Sequence, residues 1–282
     1  MAIIPTIEIE TKLQERLDAP MVWKEILDVR YTDSGILKNP YLTDATVASG
    51  TRGTGYTSVA VATVDDSVSI TGYASSAQHI DDADLAQATF SDFMQIADNM
   101  GTVLNENVET RMLLEHGQWT NLDNASIGGA AGNITVSVSN LKNIISTMKR
   151  LVRTAGGGEL ADRNGMFIQW READFEKLEL LASSEGFSTA DDVLKNGIKK
   201  GFRYMDVEHY STSRNVAGHV YGGVKKAMTV GIVKSTYGRM KTIENPVVAG
   251  AQISGKGFEA RIDLAFKTWT KNVPIQFDIL VA

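Results

Sequence analysis

FSDFMQIADNMGTVLNENVETRMLLEHGQ, Phe90 to Gln118, is the stretch whose reading decides the fold. From Ser91, a residue type that caps helix starts, apolar side chains recur at Phe93, Ile96, Ala97, Met100, Val103, Leu104, Val108 and Met112. Steps of three and four put them on one face of a helix. Asp92, Asp98, Glu106 and Glu109 fall mostly off that face. Gly101 is its weak point, a place to bend, and Gly117 after His116 is its stop. At about 1.5 Å per residue, 20-odd residues make a rod roughly 30 Å long.

Upstream of the rod, Glu8 to Val29 has partial helical character, with Leu13, Leu17, Ile26 and Leu27 apolar. Pro5, Pro20 and Pro40 interrupt it, because each removes a backbone donor and fixes φ. Residues 1–45 therefore read as an arm that reaches across a partner. A flexible stretch, Ser49 to Gly55, follows. SVAVATV (Ser58 to Val64) and SVSITGY (Ser67 to Tyr73) alternate as strands do, with Asp65-Asp66 between them as a turn. Residues 46–80 are thus predicted to form a projecting two-stranded ribbon. An isolated ribbon is marginal in water, so it must pack on something else.

Downstream, 118–138 reads as a loop with a strand-like run at Ile134 to Val138. A second helix opens at Ser139, with Leu141, Ile144, Ile145, Met148, Leu151 and Val152 in one stripe. Lys142, Lys149, Arg150 and Arg153 occupy much of the other side, and Gly156 to Gly158 end it. Met166 to Trp170 reads as a buried strand and Glu172 to Ala182 as a helix with Phe175, Leu178 and Leu181 inward. Thr189 with Asp192 resembles a capping box. Short strands follow, and FEARIDLAF (Phe258 to Phe266) and VPIQFDILV (Val273 to Val281) alternate as a closing strand pair. Such a pair must join a sheet begun elsewhere, which predicts a discontinuous domain in an α+β fold.

Composition excludes several functions. The 282 residues are 43% hydrophobic and 22% charged, which suits a globular chain with one large core or two modest ones. Cysteine is absent, so disulfide frameworks, zinc fingers and thiol nucleophiles are ruled out. No secretory signal or membrane-length apolar run is visible, and the chain reads as soluble. His79, His116, His209 and His219 show no metal-ligand spacing, and no metal or cofactor is expected. There is no nucleophile elbow and no P-loop. The glycines of Gly50 to Gly55 neither follow a strand nor open a helix, so a dinucleotide reading fails. The basic helix from Ser139 could touch nucleic acid, but a pI near 5.3 favours a solvated or subunit-facing side.

Charge is the other informative signal. Residues 41–141 carry 12 acidic side chains against 2 basic ones, Arg52 and Arg111. Residues 142–282 carry 21 basic and 15 acidic. A subunit that lays an acidic segment on a neighbour's basic segment has a use for this split, since complementary patches steer and register association. Candidate inter-subunit residues are Arg52, Asp65, Asp66, Asp81, Asp82, Lys199, Lys200, Lys225 and Lys226. Asp65-Asp66 and Asp81-Asp82 read as turns and helix starts more readily than as catalytic or calcium-binding pairs.

Taken in order, SVSITGYASSAQHIDDADLAQATF, the rod, NLKNIISTMKRLV with NGMFIQWREADFEKLELLASSEG, and GIKKGFRYMDVEHYSTS resemble the major capsid protein of tailed bacteriophages, the Hong Kong 97-like fold. The resemblance spans nearly the whole chain and is one of pattern and order, since the family has few invariant motifs. It implies an N-terminal arm (1–45), an extended loop (46–80), a peripheral domain with a spine helix (81–157 and 255–282) and an axial domain (158–254). It implies a non-enzymatic subunit whose hexamers and pentamers tile an icosahedral head, assembled in the host cytoplasm. Such a head encloses double-stranded DNA without sequence-specific contact. Its further partners are separate scaffolding, portal and decoration proteins, with no membrane. Some members crosslink a loop lysine to a neighbour's asparagine; no lysine lies between Lys38 and Lys142, so this loop lacks that amine. No long charged helical extension precedes the arm, which implies scaffolding by a separate protein. An encapsulin-like compartment shares the fold and is the alternative within the class. A soluble α+β enzyme or ligand-binding protein with a dispersed site is the alternative outside it.

Overall fold

The computed structural model describes residues 6–42, 62–85, 90–184, 202–248 and 251–282. Helices α1 (Thr6–Asp18) and α2 (Val22–Ile26) lead into β1 (Asp28–Thr32), β2 (Ile36–Lys38), β3 (Tyr41–Leu42), β4 (Thr63–Val64), β5 (Ser67–Ser69) and β6 (Gly72–Ile80). A short α3 (Asp82–Leu85) precedes the long α4 (Phe90–Leu114). Then come β7 (Thr120–Leu122), α5 (Leu141–Thr154), α6 (Gly158–Asn164), β8 (Met166–Arg171) and α7 (Glu172–Ser184). The chain continues through β9 (Phe202–Tyr204), β10 (Val207–Thr212), β11 (His219–Val224), β12 (Met228–Val233) and β13 (Met240–Glu244). A small hairpin, β14 (Val247–Val248) with β15 (Ala251–Gln252), leads to the long β16 (Lys256–Thr268) and to β17 (Gln276–Leu280).

Two sheets organise the subunit. The first has the order β1-β12-β16-β13, with β6 paired to β16 as well. Every second residue of β16 (Phe258, Ala260, Ile262, Leu264, Phe266) is buried, the period expected of a strand with one face in a core. That core also takes Met100, Leu104, Val108 and Met112 of α4, as the three-and-four spacing predicts. The second sheet has the order β7-β17-β11-β8-β10-β9. One face, with Ile168, Val220 and Ile279, packs into a second core with Leu141, Ile144, Ile145, Met148 and Val152 of α5. Its other face sends Phe167, Tyr210 and Tyr221 to the first core. A sheet covered on both faces has continuously buried strands, and β8 is buried from Met166 through Trp170.

Three expectations change. Within the described residues, the N-terminal segment sits in the subunit's own core, where the sequence led us to expect it outside. Ile9, Leu13 and Leu17 recur every fourth residue and are buried with α4 residues in the first core. Burial is worth about 1.5–3 kcal/mol for each such side chain. Gly101 allows the crossing: a Cβ there would lie 2.9 Å from the Arg16 stem. It is a packing glycine, with α4 continuous through it. Pro20 falls between α1 and α2, and β1 then pairs in parallel with β12. The prolines separate docked elements and do not keep the segment off the core.

The ribbon is real but paired differently. Ile36 and Lys38 oppose Ser69 and Ser67, and Tyr41 and Leu42 oppose Val64 and Thr63, all in one antiparallel register. Asp65-Asp66 is therefore no turn; it lies opposite Asn39-Pro40. The ladder is interrupted there because Pro40 has no N–H, while Asn39 N–H still donates to the Asp66 carbonyl at 2.8 Å. Residues 72–80, expected in the projecting loop, pair instead with Lys256 to Leu264 of β16. Finally, the two closing strands enter different sheets: β16 joins β6, β12 and β13, and β17 joins β7 and β11. The 3-10 turn Thr270–Ile275 carries the chain from one sheet to the other. The segment 255–282 thus belongs to both sheets.

Candidate assembly surfaces

Arg52, Lys199 and Lys200 lie outside the described residues, as does the Thr189/Asp192 capping pair. The other six candidates divide by burial. Asp65 is exposed on the ribbon. Asp66 is buried, and its carboxylate accepts from the Thr270 backbone N–H at 2.7 Å and lies 3.5 Å from Lys267 Nζ. Burial pushes its carboxyl up, but the Thr270 hydrogen bonds and Lys267 outweigh that and hold it below the usual range. Asp66 thus ties the ribbon base to the end of β16. Leu37 and Ile70 add apolar contact there, packing over Gly231, where a Cβ would meet both near 3.2–3.3 Å. Asp81 and Asp82 are exposed at the start of α3.

Lys225 and Lys226 occupy the short link between β11 in one sheet and β12 in the other. Lys225 is buried. Its ammonium donates to Glu208 and to the Tyr210 hydroxyl, which also lies 2.9 Å from Glu25 of α2. Burial raises the Glu208 carboxyl, but hydrogen bonds from Lys225 and Tyr210 reverse this and leave it lowered. Tyr210 is held protonated by burial and by Glu208. Lys226 is exposed, has φ 60° and donates its N–H to the Ile26 carbonyl at 2.6 Å. Asp65, Asp81, Asp82 and Lys226 therefore present charge outward, while Asp66 and Lys225 direct theirs into the subunit.

The charge split is partly used up internally. Arg214 lies 2.8 Å from Glu106 and 3.0 Å from Glu109, both on α4. Glu109 is buried and also accepts from Gln169 of β8 at 2.5 Å. Sequence reasoning put these residues on the correct segments but gave no sign of the pairing, because 105 residues separate Glu109 from Arg214. His209, on β10, is fully buried: its Nδ1 accepts from Trp170 Nε1 at 2.9 Å, which leaves Nε2–H facing the Tyr204 carbonyl at 3.2 Å. Burial pushes its pKa down to about 4.

Several large apolar side chains are also left outside. Leu42 on the ribbon is 61% exposed and Val247 on the β14–β15 hairpin 70%. Ile36 and Tyr73 near the ribbon, Leu114 at the end of α4 and Leu180 on α7 are exposed too. Scattered singly, exposed apolar side chains are ordinary on a protein surface. No described helix is long and apolar enough to cross a membrane.

No family model matches the sequence, and no curated protein matches it. Solved structures do. A virus-like particle from Pyrococcus furiosus matches at 11% identity and TM-score 0.56, over 97% of this chain and 98% of that one. The capsid structure of the cyanophage P-SCSP1u matches at 12% identity and TM-score 0.57, over 93% and 88%. The mature capsid of bacteriophage PhiM1 matches at 10% identity and TM-score 0.59, over 93% and 87%. At these identities the likeness is one of fold, and it runs nearly end to end: the chain has the α+β fold found in these capsids and in this virus-like particle.

Proposed function

We propose that this chain is the major capsid protein of a tailed bacteriophage, with the Hong Kong 97-like architecture, and that it is a structural subunit and not an enzyme. The observation that carries this is the near-complete, two-way coverage by phage capsid structures. On this reading the first sheet with α1 and α4 is the peripheral domain and α4 its spine. The second sheet with α5 and α7 is the axial domain at the centre of hexamers and pentamers. The ribbon Ile36–Leu42 with Thr63–Ser69, and the chain between its strands, is the extended loop that overlaps a neighbour. Exposed Asp65, Asp81, Asp82 and Lys226, together with Arg52, Lys199 and Lys200, are the candidate contacts between subunits. The shell forms in the host cytoplasm around double-stranded DNA, with a separate scaffolding protein, portal and decoration proteins as partners. Beyond Lys38 of β2 the ribbon carries no lysine. On this reading the shell is not crosslinked through the loop, so particles boiled in denaturant should run as single chains on a gel, and a ladder of oligomers would implicate Lys38.

The test is gradient sedimentation of the purified, assembled protein with analysis of its contents. Megadalton particles holding nuclease-protected DNA are expected. Particles loaded with protein would favour the encapsulin-like compartment, and a monodisperse small species would overturn both.

A further inference from the structure

His116, His219 and Asp278 come from three separate elements and meet at the seam between the two cores. His116 lies in the 3-10 turn Glu115–Gln118 that ends the long helix, His219 opens β11, and Asp278 is in β17. One potential ligand atom from each lies within 4.8 Å of the others. The two imidazoles stack with centroids 3.9 Å apart, and both turn Nδ1 toward one carboxylate oxygen, at 2.7 Å for His219 and 3.6 Å for His116. Asp278 is 2% exposed, and its second oxygen, Oδ1, has no hydrogen-bond partner among the described residues. A buried carboxylate oxygen without a partner is costly, and a cation is one of the few things that relieves it. Local spacing could not reveal the group, since 59 residues separate His219 from Asp278 and His116 is more distant still.

We propose that this cluster is a binding site for one divalent first-row transition metal ion of the zinc class. Two imidazole nitrogens and one carboxylate oxygen suit Zn2+, Co2+ or Ni2+, whereas Mg2+ and Ca2+ favour all-oxygen shells. Bonds of about 2.0–2.2 Å place neighbouring ligand atoms roughly 3.3 Å apart around a tetrahedral ion. To reach that, the two rings, now stacked at 28°, must tilt apart so that both in-plane lone pairs point at one ion, and their 26–30% side-chain exposure leaves them room to do so. Water completes the coordination from that open side. A bound ion would join the end of α4 to β11 and β17, beside the stacked pair Trp119 and Tyr221, whose centroids are 3.7 Å apart. It would brace one core against the other. This goes beyond the assembly reading and does not depend on it, because the three ligands belong to one chain.

The experiment uses the full chain, free of any affinity tag and stripped with chelator, titrated with Zn2+ by calorimetry and with Co2+ by visible absorption. Expected are one Zn2+ per subunit, Co2+ d–d bands from mixed nitrogen and oxygen ligation, quenching of tryptophan fluorescence by Co2+, and a higher melting temperature in Zn2+. Asp278→Asn and His116→Gln should each weaken binding by at least the roughly 10–100-fold that loss of an outer-shell partner alone costs. His79→Ala, at an exposed histidine of β6, should leave binding unchanged. Absence of stoichiometric uptake by the unmodified chain overturns the proposal whatever the variants do. So does unchanged affinity in both ligand variants, or loss of binding in His79→Ala alone.

Discussion

The two cores and the seam between them are built from different chemistry. Inside the cores the side chains are mostly apolar: Leu13, Met100, Leu104 and Ile262 in one, Ile144, Ile145, Ile168 and Ile279 in the other. Along the seam the contacts are directional, with Glu109 between Arg214 and Gln169, Lys225 between Glu208 and Tyr210, and the two histidines on Asp278. Apolar burial is non-directional and supplies most of the folding free energy. Charged hydrogen bonds at a seam add little net stability, but they accept only one relative placement of what they join. On the proposed reading a shell subunit has need of both, since an error in the angle between its halves would be multiplied around every ring.

The largest effect should come from a charge placed in a core. Ile145→Asp puts an unpaired carboxylate where Ile145 is fully buried, at a cost of several kcal/mol against the roughly 5–15 kcal/mol that holds a domain. The variant should be insoluble or lack a cooperative melt by circular dichroism; a soluble, cooperatively folding product would mean that α5 does not pack as described. At the seam the effect should be smaller and coupled. Arg214→Leu leaves Glu109 buried without its cation and should lower stability by about 3 kcal/mol in denaturant titrations. Adding Glu109→Gln should recover part of that loss, because the uncompensated charge is gone. Simple additivity in this cycle would erase the distinction between seam and core.

A pH titration sharpens the comparison further. His209 is held neutral, with a folded pKa near 4 against about 6.5 when unfolded. Between those values the unfolded chain binds the extra proton, so stability is full above pH 6.5 and is lost as pH falls toward 4. From pH 6.5 to 5 the loss attributable to this residue should be about 2 kcal/mol. Thermal melts of His209→Gln should show a flatter profile over that range, and an unchanged slope would remove His209 as the cause. The smallest effect concerns the exposed charges. Each surface pair is worth about 0–1 kcal/mol, and Arg214, Lys225 and Lys267 are already engaged within the subunit. Light scattering should show assembly slowing modestly as NaCl rises toward 1 M, where the Debye length is about 3 Å, while finished shells persist. A rate that is flat or rises with salt would show that outward charge plays no part.

What was legible in the sequence follows the same division. The face of α5, most of the face of α4, the buried strand Met166 to Trp170 and the alternation of β16 were readable, because apolar periodicity is local. On α4, Val103 is nonetheless exposed and Glu109 buried. The docking of the N-terminal segment into the subunit's own core was not legible, because prolines mark breaks between elements and say nothing of where the elements dock. The partner of the ribbon strand at Val64 was misassigned because Asp-Asp reads locally as a turn, while the Tyr41 and Leu42 that pair with it lie across the glycine-rich stretch. Among the candidate contacts, residue type gave no warning that Asp66 and Lys225 are buried. Their partners, Thr270 and Glu208, are 204 and 17 residues away.

The central claim is that this subunit closes into a shell with its two sheets at different radii from each capsomer axis. A cryo-electron microscopy reconstruction of the purified, assembled protein tests it most directly. The account predicts an icosahedral particle in which the β7-β17-β11-β8-β10-β9 sheet clusters around the five- and six-fold axes. The long helix α4 should lie at the periphery, with the Ile36–Leu42 ribbon over an adjacent subunit. A closed shell with α4 at the capsomer centre, or no closed particle at all, would contradict it.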